Sequence, residues 1–299
     1  MHGHNHGAPT SSRTFAIGIG LNVLFVIVEV VYGLRAHSLA LLSDAGHNLG
    51  DVLGLGLSWG AVILAQRPPS ERHTYGMRRA SILASLGNAI LLLVAVGGIS
   101  WEALQRLASP HAVEGETVVV VAAIGIVVNG LAALLFMSGR HHDLNVRSAF
   151  LHMLSDAAVS VGVILAGIAI QLTGKSWVDP VVSLAVGAII VVGTWNLLRE
   201  SLRLAMDAVP EGIDLQGVQA ALAGLPGVTA VHDLHIWAMS TTETALTVHL
   251  VVPDQSTNDD TMAKICRDLH DRFGIEHTTI QVERGDGAAE CGQAPDHVV

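Results

Sequence analysis

The run SLALLSDAGHNLGDVLGLGLSWGAVILA, residues 38–65, decides how this chain is read. It is long and apolar enough to cross a bilayer, which takes about 20 residues, yet it carries Asp44, His47 and Asp51. An ionisable side chain at membrane depth is expensive and marks function by default. His47 and Asp51 are four residues apart, and a later apolar run repeats that order and spacing in His152 and Asp156. Four such groups with one shared spacing call for one shared explanation.

Around this run the chain is built for lipid. Its 299 residues are 51% hydrophobic and 14% charged, with a mean hydropathy of +0.51. Soluble domains carry about 25% charge. Six apolar stretches at 14–34, 38–65, 80–106, 116–139, 148–171 and 180–203 predict an α-helical membrane protein with six transmembrane helices. The first stretch has no small-residue cleavage site at signal-peptide length and reads as an anchor. Arg13, Arg67, Arg72, Arg78, Arg79, Arg140, Arg147, Arg199 and Arg203 flank one side of the spans, against Arg35, Arg106 and Lys175 on the other. That bias places both termini in the cytoplasm. The short loops suit a bacterial inner membrane.

Four segments follow. Residues 1–13 are a flexible tail holding His2, His4 and His6, a composition that can hold metal weakly. Residues 14–206 are the membrane domain, 207–285 a cytoplasmic domain and 286–299 a second flexible tail. Residues 207–299 carry 15 Asp/Glu and 4 Lys/Arg, a net charge of −11, against +1 for residues 1–206. An acidic module argues against nucleic acid, which needs a positive surface, and suits cations. Cys266 and Cys291 are too few and too far apart for a disulfide framework.

The cytoplasmic segment alternates in type. Leu215–Leu225 has helical spacing and stops at Pro226-Gly227. Val228–Trp237 and Thr244–Val252 read as strands joined by a turn at Ser240–Glu243. Asp259–Phe273 is an amphipathic helix, and Thr278–Glu283 returns as a strand. The order predicts a small α+β sheet with helices on one face.

The chemistry follows from the spacing. On a helix, i and i+4 share a face, so two helices packed face to face bring His47, Asp51, His152 and Asp156 to a common point. Two imidazoles and two carboxylates suit tetrahedral Zn²⁺, and two carboxylates balance its charge. Metal binding to such a set expels the protons its ligands hold when empty, which describes a cation/proton exchanger. Residues 42–50 (LSDAGHNLG) echo 154–162 (LSDAAVSVG), but the echo aligns Asp44 with Asp156 and does not superimpose the pairs. The site is therefore expected from packing of spans two and five, without strict internal symmetry. Asn22, Asn48, Asn88 and Asn129 are expected to bond between helices. Glu29 and Asp44 are further ionisable groups at membrane depth.

In the cytoplasmic segment, His232, His249 and Glu283 on three strands are candidates for a second Zn²⁺ site, against ordinary surface or core roles. On a regular strand His232 and His235 point to opposite faces. No G-x-S-x-G, Walker A, H-E-x-x-H or C-x-x-C occurs. Enzymatic chemistry and direct ATP drive are thereby disfavoured.

SLALLSDAGHNLGD at 38–51, HTYGMRRASILA at 73–84, NVRSAFLHMLSDAAVSVGV at 145–163 and HDLHIW at 232–237 resemble the cation diffusion facilitators, in the zinc/cadmium/cobalt efflux branch that includes bacterial heavy-metal exporters. The resemblance covers nearly the whole chain. It implies six transmembrane helices, a ferredoxin-like cytoplasmic domain, a homodimer and proton antiport. Its transport site falls on His47, Asp51, His152 and Asp156. Its cytoplasmic metal positions fall on His232 and His249, with Glu283 where some members carry a His-x-Asp, and with Cys291 nearby. A loop site between spans two and three would fall at His73, and His235 is the HDLHIW variant's own candidate for a second ion. The expected function is proton-coupled Zn²⁺ efflux. Export of Cd²⁺, Co²⁺ or Fe²⁺ is the alternative, and a membrane zinc sensor or scaffold stands further off.

Overall fold

A computed structural model describes residues 12–109, 111–137, 144–253, 259–285 and 291, apart from the side chains of residues 12–19, 55, 58, 62 and 135–152. The His2/His4/His6 tail and the C-terminal tail apart from residue 291 lie outside the described residues. Six long helices come first: α1 Ser12–Arg35, α2 Leu39–Ala65, α3 Ala80–Ala108, α4 Gly115–Met137, α5 Leu144–Thr173 and α6 Val178–Ala205. Then follow α7 Leu215–Ala223, β1 Ala230–Ala238, β2 Thr244–Val251, α8 Asp259–Phe273 and β3 His277–Glu283. The chain divides into two units, residues up to 56 with 87–196, and residues 57–86 with 197 onward.

Among the described residues, Leu39–Ala65, Ala80–Ala108, Gly115–Leu134, Met153–Thr173 and Val178–Ala205 are helices long and apolar enough to span a membrane. Large apolar side chains such as Leu24, Val94, Leu165 and Val192 face outward on these helices and on α1. Outward apolar surface on that scale is at home in lipid and a liability in water.

The first unit packs small residues against small residues. Ala36, Ala40, Leu41, Val118, Val121, Ala122 and Val163 form one buried cluster. Val96, Val186 and Ile190 form another. α4 and α5 cross so closely that a Cβ on Gly115 would lie 2.7 Å from the Gly167 carbonyl oxygen. Only glycine permits that backbone approach, as in other small-residue helix crossings. The start of α2 is tied to α6: Asp179 accepts hydrogen bonds from Ser38 Oγ at 2.5 Å, Leu39 N at 2.6 Å and Ala40 N at 3.3 Å. These N–H groups have no partner inside their own helix, and a carboxylate there also suits the helix dipole.

The second unit holds a three-stranded sheet in the order β1-β2-β3. β1 and β2 are antiparallel, while β2 and β3 are parallel and joined through α8. Val218 and Leu222 of α7, Ile265 and Leu269 of α8, and Ile236, Leu246, Val248 and Leu250 of the sheet form its core. α8 has Asp259 and Asp260 in its first turn and Arg272 in its last, matching charge to the dipole. It ends where Gly274 turns to φ 66. There Gly274 N donates to His270 O at 2.9 Å, the single bond of an αL-type stop.

β1 departs from a regular strand. His232 pairs with His249 and His235 with Thr247, so Asp233 and Leu234 stand against Val248 alone. The bulge shifts the alternation by one residue. Val231, Leu234 and Ile236 all face the core. His232 and His235 therefore share the other face of the sheet, which corrects the opposite-face expectation.

Within the same unit the segment between α2 and α3 is held to the sheet domain. Arg78 Nη1 meets Glu243 Oε1 at 2.7 Å, Arg79 pairs with Asp207, and Thr241 N donates to Ser81 Oγ at 3.1 Å. Tyr75 packs edge-on against His277 with ring centroids 5.5 Å apart.

Candidate functional site

His47 on α2 and Asp156 on α5 meet in the first unit, with His47 Nε2 3.3 Å from Asp156 Oδ1. Asp51, one turn further along α2, joins them. One ligand atom from each of the three lies within 4.8 Å of the other two. The Asp156 side chain is 1% exposed and that of His47 24%, so the set is open on the imidazole side. His152 sits on α5, one turn before Asp156; its side chain lies outside the described residues.

Polar contacts behind this group fix the rotation of the helices that carry it. Asn48, next to His47, donates from Nδ2 to Glu29 Oε2 of α1 at 3.0 Å. Ser160, one turn after Asp156, donates from Oγ to Asp44 Oδ2 at 3.3 Å. All four are fully buried. Asn48 thus bonds between helices as its chemistry suggested. Buried hydrogen-bonded groups of this kind set register as well as energy.

The second group lies on the sheet face away from the helices. Leu246, Val248 and Leu250 enter the core, so His249, alternating with them, points the other way. Its register partner on β1 is His232, and Glu283 lies beside Val251 on β3. His249 Nδ1 is 3.0 Å from Glu283 Oε1, and His232 Nε2 is 3.2 Å from Glu283 Oε2. Cys291 Sγ lies 3.5 Å from His249 Nδ1. One ligand atom each from His232, His249, Glu283 and Cys291 lies within 4.8 Å of the other three. His232 Nδ1 is buried with no hydrogen-bond partner among the described residues. Two nitrogens, a carboxylate and a thiol suit a borderline-soft divalent ion such as Zn²⁺. Burial pushes the Glu283 carboxyl up, but hydrogen bonds from Cys291, Gln281 and His232 outweigh it and hold the group below the usual carboxylate range.

The remaining candidates stand apart from these groups. His235 Nε2 lies 2.8 Å from Asp233 Oδ1 and is not part of the four-residue cluster. His73 is exposed in a turn where its backbone N–H donates to Ser70 Oγ at 3.2 Å. It lines a cavity of about 440 Å³ together with Arg72, Arg78 and Arg79, and like charge there opposes a cation. Sequence reasoning passed over Asp233 because it lies inside HDLHIW at a position that strand alternation assigns to the core. Asp179 was likewise missed, since only the tertiary fold brings it to the start of α2.

The transmembrane part of the chain, residues 15–205, matches the family model for the cation efflux transmembrane domain. Residues 210–285 match that for the cation efflux protein cytoplasmic domain. The chain is 39% identical over 295 residues to the metal cation efflux system protein CzcD of Cupriavidus metallidurans, covering 98% of this chain and 92% of the relative. It is 36% identical over 286 residues to the cadmium, cobalt and zinc/H(+)-K(+) antiporter of Bacillus subtilis, covering 94% and 92%. It is 36% identical over 289 residues to the zinc transporter ZitB of Escherichia coli, again covering 94% and 92%.

Proposed function

Because this chain belongs to the cation diffusion facilitator family of cation-efflux proteins, we propose that it exports Zn²⁺ from the cytoplasm in exchange for protons. It is a multi-pass membrane protein of the divalent-cation efflux type, a secondary transporter and not an enzyme. The observation that carries the zinc/proton proposal is the meeting of His47, Asp51 and Asp156 across α2 and α5.

A set of imidazole and carboxylate donors ranks Zn²⁺ above harder ions such as Mn²⁺ or Mg²⁺. His152, one turn before Asp156 on α5, completes the proposed four-ligand substrate site. The same donors take up protons when the metal leaves, so metal and proton compete for one place. Export is then alternating access, with Zn²⁺ entering from the cytoplasm and protons replacing it from the far side. Six transmembrane helices, a ferredoxin-like cytoplasmic domain, a homodimer and cytoplasmic termini in a bacterial inner membrane complete the reading. The cluster of His232, His249, Glu283 and Cys291 fits a resident Zn²⁺, which would lend charge and cross-linking to the small sheet domain. His232 Nε2 and His249 Nδ1, both within 3.2 Å of the Glu283 carboxylate, favour this assignment.

A broader substrate range is the second reading, favoured by the cadmium and cobalt in the name of the Bacillus subtilis relative. Uptake by everted vesicles from cells making this protein tests both. Zn²⁺ uptake that collapses with the proton gradient supports the proposal. Equal rates for Zn²⁺, Cd²⁺ and Co²⁺ favour the broader reading, and uptake indifferent to the proton gradient rejects proton coupling.

A further inference from the structure

Three non-glycine residues among those described have positive φ, and one of them, Asp233 at 51°, lies inside a strand. Aspartate tolerates that conformation better than most residues, yet a strand does not require it. On a regular β1 its side chain would face the apolar core of Leu246 and Val248. The bulge instead turns its carboxylate onto the face that holds the cytoplasmic cluster. There the side chain is 8% exposed, with Oδ2 3.5 Å from His249 Nε2 and Oδ1 2.8 Å from His235 Nε2. Strain held in place by its surroundings points to a use for the strained residue.

The two nitrogens of His249 are divided. Nδ1 faces Glu283 and Cys291, while Nε2 faces Asp233. A carboxylate beside Nε2 favours the tautomer that carries its proton there, which leaves the Nδ1 lone pair for a cation. It also holds the ring in one orientation, with Nδ1 toward Glu283 and Cys291. His235 anchors the other carboxylate oxygen. On this geometry we propose that Asp233 is a positioning residue for the cytoplasmic metal centre: it presets His249 to ligate a divalent d-block cation through Nδ1. His235 then supports Asp233 and is not itself a ligand. This rests on the reading of His232, His249, Glu283 and Cys291 as a metal site.

The test uses the full-length protein in detergent carrying Asp51→Asn and Asp156→Asn, so that tight Zn²⁺ binding reports the cytoplasmic cluster. Affinity is measured by competition with a chromophoric chelator, and fold by circular dichroism and thermal melting without metal. Asp233→Gly relieves the backbone and removes the carboxylate. It is expected to melt no lower than its parent and to bind Zn²⁺ about 10–100-fold more weakly. Asp233→Asn keeps an oxygen acceptor and the tolerated backbone, and its affinity should fall between the two. Parental affinity in Asp233→Gly overturns the inference; if that variant does not fold, parental affinity in Asp233→Asn overturns it. Failure of the underlying reading looks different, because then His249→Ala leaves Zn²⁺ affinity unchanged in the same background.

Discussion

His47 Nε2 and Asp156 Oδ1 stand 3.3 Å apart on two different helices, α2 and α5. A cation held by both atoms joins the two helices, and a proton on the imidazole turns the contact into an ion pair. In the proposed exchange, the choice between metal and proton is therefore also a choice between two ways of holding α2 to α5. Alternating access needs some such coupling, since a ligand shifts a conformational equilibrium only through differential contacts.

Replacing the nitrogen donor tests the origin of selectivity. His47→Asp makes the set richer in oxygen, which favours harder ions. Zn²⁺ preference over Mn²⁺ in vesicle uptake should narrow by at least about tenfold, the equivalent of about 1.4 kcal/mol. An unchanged ratio would place selectivity elsewhere.

Asp179→Ala strips three donors at the start of α2 of their buried acceptor. Unsatisfied buried donors cost about 1–3 kcal/mol each, and relaxation recovers part of that. A loss of about 1–3 kcal/mol is expected, read as a lower thermal midpoint in detergent. Unaltered melting would mean that the tie between α2 and α6 contributes nothing to stability.

The α4–α5 crossing gives a steric prediction with an internal control. A Cβ on Gly167 would sit 2.8 Å from Val119 Cγ2 and 3.0 Å from the Gly115 carbonyl oxygen, whereas one on Gly162 meets nothing within 4 Å. Gly167→Ala should destabilise by about 1–3 kcal/mol through overpacking, and Gly162→Ala should be neutral or slightly stabilising. Equal melting of the two variants would contradict the close crossing.

Glu283 supplies a pH dependence with a definite sign. Its carboxyl is held below the ordinary carboxylate range in the folded protein, so the folded state favours its ionised form. That stabilisation is fully present above the unfolded value of about 4.3 and is lost as pH falls through the folded value. Metal-free protein should therefore melt higher than Glu283→Gln at neutral pH, with the gap closing in acid. A gap that widens on acidification would reverse the assignment.

Much of this is legible in the sequence, and the reason is periodicity. α8 runs Asp259–Phe273, as its apolar face and charged ends indicate. The i, i+4 spacing of His47 and Asp51 alone puts both on one side of α2. The meeting with Asp156 followed from the need to satisfy like groups in two spans. Three features lay beyond the sequence. The bulge at Asp233 breaks strand alternation, so His232 and His235 share a face where a regular strand would separate them. Asp179 reaches Ser38 only through the packing of α6 on α2. Glu29 and Asp44 were recognised as ionisable, but their bonds to Asn48 and Ser160 depend on which helices are neighbours.

The most direct test is Zn²⁺ transport by purified protein in proteoliposomes under an imposed pH gradient, comparing the wild type with Asp156→Asn. The substitution keeps shape and removes the charge that faces His47. The account predicts gradient-driven Zn²⁺ movement coupled to counter-flow of protons in the wild type, and loss of both in a variant of unchanged fold. Substantial Zn²⁺ transport by folded Asp156→Asn would contradict it.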